Sequence, residues 1–495
     1  MRTEARQALE EPARELIEAG FALEIADAPV LHRGLNLADI VHCLALWERG
    51  VIQPDPAKRL LRLLLYVYGL PAEEFPYDPN CGEAYHCRER FFAERLGTDA
   101  GWLHAGRPRR EAGRIALRLL LRRLVAGLIE DLAGFVDALS TLAAANADTV
   151  MADQTNLREA QPSTFGHYAL TFAYPALRDC DRLRRDLDWV NRSPGGAGCV
   201  NGSRLHLDRD LVADLLGFDG VIVHTRDAMW QTDGLVDLLA TAAGVVTNLS
   251  QLAEDLEIWG SQEFDFVEVA APYTRASVLM PQKRNPYALS IVRGAAGVLI
   301  GRLTGLLAVV KTPSARSDNL IFAYGELPRS LELAGRVTRL MRGVVATLRV
   351  DPERMRESLL AGFSQATDLA ELVMQVCDLD YRSAYQVVGT AVRQANRRGL
   401  RGVDLTADML DEAAQEQLGY RLGLVGTDLS DVLDPRSIVL TRVLPGGAAP
   451  HVVRRMAAEC HAGARRARAE AAERRRRFDL AEEGLVRVVR ERVEE

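Results

Sequence analysis

The sequence predicts an all-α protein, and three observations carry this prediction. Long segments of the 495-residue chain repeat apolar residues at the three- and four-residue spacing of an amphipathic helix. Residues that favour helices, such as Ala, Leu, Arg and Glu, are common, whereas aromatic residues make up only 6%. With 48% hydrophobic residues, the chain can build a large core. We therefore expect helices throughout, joined by shorter irregular segments.

The expected helices fall into three regions, which we predict to be three domains. Residues 1–105 contain short helical patterns broken by prolines such as Pro29. Residues 106–355 contain the longest patterns, and the stretch 111–151, about forty residues, would span roughly 60 Å as one helix. Residues 356–495 return to shorter patterns and end in an arginine- and glutamate-rich stretch that we interpret as a solvated or edge helix. Helices this long favour a bundle that buries wide apolar faces by oligomerisation.

Composition also excludes several classes of protein. The formal net charge of −7 argues against general nucleic-acid binding, which needs a basic surface. Residues 1–20 lack the apolar segment of a secretory signal, and arginines such as Arg302 interrupt the apolar stretches, so we expect no membrane span. The seven cysteines lack paired metal-ligand spacing. We therefore predict a cytoplasmic protein without a metal.

A loop between two long helical patterns, residues 276–286, carries the strongest chemical signal. Two prolines and an asparagine interrupt the helix there, and Ser277, Lys283 and Asn285 lie within nine residues of one another. They provide a nucleophile or base, a fixed cation and an amide that can hold a carboxylate. The simpler alternative is that Ser277 only caps the following turn.

A second loop, residues 103–111, is rich in arginine. Arg107, Arg109 and Arg110 lie within four residues and could face one anion, since guanidinium groups bind carboxylates bidentately. A solvated basic turn would have the same composition. Upstream, His42 lies among apolar residues at helical spacing, and we interpret it as a packed helix residue.

Four segments of the chain carry short motifs that can be compared with known families: residues 103–109, 155–162, 258–264 and 277–286. Together these segments resemble the fumarase/aspartase superfamily, most closely the argininosuccinate lyases. The resemblance covers nearly the whole chain, and it implies an all-helical subunit of three domains whose central helices form a twenty-helix core in a homotetramer. Each active site would combine three loops from three subunits. The implied reaction is anti-elimination of fumarate with cleavage of a carbon–nitrogen bond, without a cofactor or metal.

The resemblance also implies roles for individual residues. Ser277 would be the base that removes a proton from the carbon next to a carboxylate, which requires nearby positive charge and backbone donors to stabilise the alkoxide. Lys283 and Asn285 would stabilise the extra charge of the resulting aci-carboxylate. Arg107 and Thr155 would anchor substrate carboxylates.

The chain departs from the family pattern where the acid–base pair would lie. The family has a histidine after the threonine of the second loop and a glutamate four residues after the Asn-Pro of the signature. Here those positions are Asn156 and Ser290. An amide does not titrate near neutral pH, whereas histidine does. The acid half of the site is therefore expected to differ.

The substrate pocket is expected to differ as well. Arg110 replaces an asparagine of the family, and in the segment that holds the arginine end of argininosuccinate, Arg316, Ile321 and Tyr324 replace a tyrosine, a glutamine and a lysine. This pocket should not bind argininosuccinate in the usual way. Our predicted catalytic residues are Ser277, Lys283 and Asn156, and our predicted substrate-binding residues are Arg107, Arg110, Thr155, Gln161, Asn285, Arg316 and Tyr324.

Three functions remain open from the sequence. The first is a lyase that acts on an N-substituted succinate or aspartate other than argininosuccinate, or that adds to fumarate in the reverse direction. Its leaving group would be stable without protonation, as nitrite is, or Tyr324, His224 or a water would supply the proton. The second is a catalytically impaired structural or regulatory relative, and the third is an ordinary argininosuccinate lyase. The expected partners are a small dicarboxylate and further copies of the chain.

Overall fold

The computed structural model describes residues 12–315 and 320–494, and it confirms the all-α prediction. The expectation of a helix break at Pro29 is wrong, because Pro29 lies inside a helix of 27 residues. Residues 34–46 of that helix are all buried, so packing maintains it despite the missing N–H. The first helices are α1 (Arg14–Leu16), α2 (Ala22–Glu48), α3 (Pro54–Gly69) and α4 (Ala84–Leu96), with a π-helical turn at Ile17–Phe21 and a 3₁₀ segment at Gly97–His104.

A bundle of five long helices forms the centre of the molecule. The five long helices are α5 (Arg109–Ala145), α6 (Phe165–Val190), α9 (Asp233–Trp259), α10 (Tyr287–Val310) and α12 (Glu326–Ala346). Three short helices occur between them in the chain: α7 (Arg209–Leu215), α8 (Thr225–Trp230) and α11 (Ile321–Tyr324). Consecutive long helices run in opposite directions. Arg118 near the start of α5 donates to the carbonyl of Trp189 at the end of α6, and Tyr168 near the start of α6 donates to Asp255 at the end of α9. Each connection therefore lies at one end of the bundle or the other.

Short antiparallel strand pairs form at the bundle connections. β1 (Val150–Thr155) pairs with β2 (Arg158–Thr164) in a hairpin that follows α5, with a register shift between Ala152 and Gln154. β3 (Val267–Glu268) pairs with β6 (Arg349–Val350), and β4 (Arg275–Ala276) pairs with β5 (Arg284–Asn285). The segment 276–286 is thus the tip of a small hairpin.

The C-terminal part consists of shorter helices followed by one very long helix. Several of the short ones begin at an aspartate or threonine cap, such as Asp380, which accepts hydrogen bonds from the N–H groups of Arg382 and Ser383. The helices are α13 (Pro352–Ala361), α14 (Ala366–Val376), α15 (Tyr381–Arg397), α16 (Ala407–Leu418), α17 (Ser430–Leu433), α18 (Pro435–Leu440) and α19 (Pro450–Glu494).

The buried side chains form three main clusters. The largest lies in the central bundle, the second joins α2, α3 and α4 to the start of α5, and the third comprises residues between Leu369 and Leu433. The edge helix α19 packs on the first two clusters, through Phe478 and Val489 for example, and not on the third. Domain limits near 105 and 355 stay a prediction, and packing associates residues 450–494 with the bundle.

Two bundle helices, α9 and α10, are long and apolar enough to cross a membrane by length and composition alone, although we expected no such segment. Half of the most apolar 18-residue stretch of α9 is buried in the bundle, whereas only 28% of the corresponding stretch of α10 is buried. On α10 the side chains of Ile291, Ile300 and Leu307 are exposed. Within this chain, α10 therefore keeps an apolar surface.

Candidate functional site

Helix α5 separates the predicted site residues into two groups. The arginine-rich loop precedes α5, whereas the hairpin with Thr155, Asn156 and Gln161 follows it. The 37 residues of α5 give an axial length of roughly 55 Å at 1.5 Å per residue. Arg110 and Asn156 of one chain therefore cannot contact the same small substrate.

Arg107 is held in a buried ionic network in the N-terminal region. Its guanidinium lies 2.5 Å from Asp39, donates to the carbonyl of Ala38 at 2.8 Å, and donates to the hydroxyl of Tyr85. Arg88 pairs with the other oxygen of Asp39 at 2.5 Å. Burial alone would raise the pKa of Asp39, but the two guanidinium groups outweigh burial and the net effect is a lowered pKa. In this chain Arg107 holds the first loop in place, and its role as a carboxylate anchor stays a prediction.

The next two arginines border a cavity of about 420 Å³, which we call the Arg110 cavity. Arg109 donates to His86 at 2.8 Å and lies 3.4 Å from Glu83. The cavity also contains the predicted Tyr324, whose ring stacks under the guanidinium of Arg114 at 5.8 Å. Predicted Arg316 lies outside the described residues. The apolar lining residues are Leu16, Phe21, Ala28, Leu31, Leu35, Ala84 and Ile321, with Gly20 and Gly113, and the polar ones are Glu24, Asp27, Glu83, Tyr85, Arg109, Arg110 and Tyr324.

A glycine-rich turn beside the first loop is anchored by the start of α5. Both carboxylate oxygens of Glu111 accept hydrogen bonds, from the N–H groups of Gly196 and Gly198, each at 2.7 Å. Burial raises the pKa of Glu111 to about 7, against the opposing effect of these donors and of Arg107. Ser193 at the start of the turn is fully buried. The segment is therefore a fixed support for the first loop.

The second predicted loop is the tip of the β1–β2 hairpin. Asn156 and Leu157 form its two-residue turn with φ angles of 52° and 57°, in the left-handed region that a type I′ turn requires. Asparagine tolerates this region, but a leucine rarely adopts it. Thr155, Asn156, Leu157 and Gln161 are all exposed. The hairpin therefore presents these side chains outward from the end of the bundle.

The third loop holds Ser277 at the base of the β4–β5 hairpin tip. The Ser277 hydroxyl oxygen accepts hydrogen bonds from the backbone N–H groups of Met280 at 3.0 Å and Leu279 at 3.3 Å. This is the turn-capping geometry of the simpler alternative, and the same donors would stabilise negative charge on that oxygen. Asn285 donates to the carbonyl of Arg275 at 3.2 Å, and Lys283 is exposed.

Apolar side chains surround these polar ones at the tip. The side chain of Val278 is fully exposed, and that of Leu279 is 85% exposed. Ser290, on the first turns of α10, is exposed too. His224 acts as the N-cap of α8, where its ring accepts from the N–H of Asp227 at 3.4 Å. The signature hairpin thus presents both its polar residues and an apolar surface to whatever lies outside this chain.

The residues that support the first loop were not predicted from the sequence. Asp39, Tyr85 and Arg88 form the buried network around Arg107, and Glu83 and His86 contact Arg109. The only sequence signal was an aspartate three residues before the predicted packed residue His42, whose burial is confirmed. Among residues 12–315 and 320–494, no group of three or more His, Cys, Asp or Glu side chains is arranged to hold a metal ion.

Comparison with known proteins identifies the family. Residues 72–301 match the family described as Lyase, and residues 363–440 match Argininosuccinate lyase C-terminal. The argininosuccinate lyase of Methanothrix thermoacetophila is 33% identical over 435 residues, which cover 88% of this chain and 87% of that protein. The argininosuccinate lyase of Burkholderia mallei is 34% identical over 453 residues, covering 90% and 94%.

Solved structures show the same relationship. A variant of EDDS lyase with bound fumarate has a TM-score of 0.88 at 28% identity and covers 98% of this chain and 97% of its own. A class II fumarase from Schistosoma mansoni shares the fold, with a TM-score of 0.69 at 15% identity over 85% of this chain and 91% of its own. The chain therefore belongs to the argininosuccinate lyase family of carbon–nitrogen lyases, within the fumarase/aspartase superfamily.

Proposed function

We propose that this enzyme releases fumarate from an N-substituted aspartate or succinate other than argininosuccinate, or catalyses the reverse addition. Family membership supports the fumarate-releasing cleavage of a carbon–nitrogen bond. The choice against argininosuccinate rests on two residues. Asn156 stands where the family has a titrating histidine, and Ile321 brings an apolar side chain into the cavity where the family has a glutamine.

The observation that carries the proposal is the position of the Ser277 hydroxyl. Removing a proton next to a carboxylate needs a strong base, and an alkoxide forms only where donors and cations stabilise it. The N–H groups of Leu279 and Met280 provide two donors at the oxygen itself. Lys283, three residues beyond that turn on an exposed tip, would provide the cation once a substrate dicarboxylate is bound.

We further propose a homotetramer in which subunits share each active site. The length of α5 supports this arrangement, because Arg110 and Asn156 of one chain lie at opposite ends of the bundle. The exposed apolar residues of α10, with Ile300 51% exposed, support it as well, since a second copy would cover them. All seven cysteines are free, which fits a reducing compartment such as the cytoplasm.

The reaction can be tested by following the ultraviolet absorbance of fumarate with a panel of N-substituted aspartates. The wild-type enzyme should release fumarate from at least one of them, and Ser277→Ala should lose at least about a hundredfold in rate, as expected when a general base is removed. Ser383→Ala is the matched control, because Ser383 also makes a local turn contact, 2.6 Å from Asp380, but lies in the third cluster region. Equal rates for wild type and Ser277→Ala on every substrate would refute the proposal.

The shared site has its own test. Arg110→Ala and Ser277→Ala subunits are unfolded together and refolded as mixed oligomers. If the two loops of one site come from different subunits, random mixing should restore about one quarter of wild-type activity, because each loop is intact with a probability of about one half. No recovery above the two separate variants would show that both loops serve the same site from one chain.

A further inference from the structure

The chemical character of the Arg110 cavity restricts which leaving groups can bind there. Most of its wall surface is apolar, although charged side chains also line it, and Phe21, Leu31 and Ile321 contribute to the apolar part. Leu35 and Ala28 in its lining are almost fully buried. A cavity of about 420 Å³ is within the usual size of small-molecule pockets and can hold more than an ammonia molecule.

Two of the three carboxylates that line the cavity, Asp27 and Glu83, already have cationic partners. Asp27 pairs with Arg329 at 2.6 Å, and Glu83 lies 3.4 Å from Arg109. A ligand with a distant positive charge, such as a guanidinium, would compete with these arginines for the carboxylates. An uncharged apolar group would meet no such competition, and it would gain from burial against Leu31 and Ile321.

The chemistry at Asn156 points in the same direction. The nitrogen of an N-alkyl aspartate is a secondary ammonium at neutral pH, because alkylamines have a pKa of about 10. When the base takes the proton from the adjacent carbon, the electrons of that C–H bond form the double bond of fumarate. The electron pair of the C–N bond leaves with the nitrogen, which keeps its protons and departs as a neutral amine. No acid is needed at position 156.

A guanidine leaves less readily. Its conjugate acid is weaker than an alkylammonium, so the departing nitrogen is a stronger base than an amine and benefits more from a proton donor. Asn156 cannot supply that proton. Both the cavity and this residue therefore favour an amine over a guanidine.

We propose that the leaving group is an amine with an uncharged apolar side chain, which occupies the Arg110 cavity against Ile321. This inference rests on the proposed function and specifies its substrate class. Ile321 is then a specificity-determining residue of the site, and Asp27 and Glu83 remain paired within the protein. Because the cavity is apolar, each added methylene of the amine should be buried until the volume is filled.

The test uses the reverse reaction, in which the full-length enzyme adds an amine to fumarate. Ammonia, a series of linear alkylamines from propylamine to hexylamine, and arginine are compared by the loss of fumarate absorbance. The rate constant kcat/KM should rise about fourfold per methylene, the value of one buried CH₂, and arginine should give no detectable addition. In Ile321→Gln the increase should fall to less than about twofold per methylene.

Phe322→Gln is the matched control, because Phe322 is the next residue of the same short helix but lines a neighbouring cavity that Ile321 shares. It should leave the dependence on chain length unchanged. If ammonia reacts as fast as hexylamine, the inference is overturned while the proposed function stands. If arginine reacts as fast as hexylamine, both are overturned, because the product is argininosuccinate. The inference is also overturned if Phe322→Gln and Ile321→Gln flatten the series equally. If no amine adds but fumarate is still released from an N-substituted succinate, only the inference fails. If neither direction shows a reaction, the proposed function fails as well.

Discussion

Replacing Asp39 by asparagine should destabilise the protein strongly, because this carboxylate is the only anion described between two buried guanidinium groups. Asp39, Arg88 and Arg107 have side-chain exposures of 0%, 0% and 1%. In Asp39→Asn, the amide would accept from one arginine but turn its own donors towards the other. Removing one partner of a buried pair typically costs 3–5 kcal/mol, so we expect a loss of about 4 kcal/mol in the free energy of unfolding.

The assay is urea unfolding followed by helical circular dichroism at one fixed protein concentration, since association with other copies would contribute to stability. The matched control is Glu268→Gln, which breaks a pair with Arg349 whose side chains are 60% and 78% exposed. A pair of this kind should change the free energy by less than about 1 kcal/mol. A loss in Asp39→Asn no larger than in the control would refute our account of the network.

The stability difference between wild type and Asp39→Asn should also depend on pH. The folded-state pKa of Asp39 is lowered, so its stabilising contribution is present above the pKa of the unfolded chain and is lost as the pH falls through that value and towards the folded one. The difference in stability between wild type and Asp39→Asn should therefore shrink below about pH 4. A difference that stays constant down to the acid transition would contradict the ionised state of this carboxylate.

Three further changes test other parts of the structure. Burial raises the pKa of Glu111 from 4.5 to about 7. The free energy of unfolding of the wild type should therefore fall by up to about 3 kcal/mol as the pH rises from 4.5 to about 7. In urea titrations, Glu111→Gln should remove this pH dependence. Leu157→Gly should raise the stability by about 1 kcal/mol in thermal melts, because glycine adopts the left-handed backbone conformation of this 60% exposed position without strain. An unchanged melting temperature would show that the turn is unstrained. The carboxylate of Glu482 accepts hydrogen bonds from Arg33, Arg123 and Tyr68 at 2.6–2.9 Å. Glu482→Gln should therefore lower the free energy of unfolding by about 2 kcal/mol and speed hydrogen exchange in the last turns of α19. Exchange at the wild-type rate would argue that these contacts do not anchor the helix.

The sequence was a good guide where a local pattern sets the structure. Helical periodicity predicted the long helix α5, which was expected at residues 111–151 and is observed at Arg109–Ala145. It failed at Pro29, because burial of the following residues sustains the helix through the proline. It also missed that residues 150–164 form a hairpin, since its strands contain proline, glutamate and alanine and show no regular alternation.

The function of Arg107 illustrates a different limit. Its loop predicted an exposed group facing an anion, yet its guanidinium pairs with Asp39, 68 residues upstream. Nothing in the local pattern separates Arg107 from Arg109 and Arg110, which border the cavity. The partner of each arginine depends on how α2, α4 and the first loop pack together.

By itself, the sequence determined the helical class, the family and the residue types available for chemistry, because periodicity and short motifs are properties of neighbouring residues. Only the tertiary structure decided that Arg107 pairs with Asp39 while Arg110 borders a cavity, and that Ile321 and Leu31 line the same cavity. A helix rises by a fixed amount per residue, so its length follows from its sequence. Which loops meet at its ends depends on long-range packing, to which residues far apart in the chain contribute.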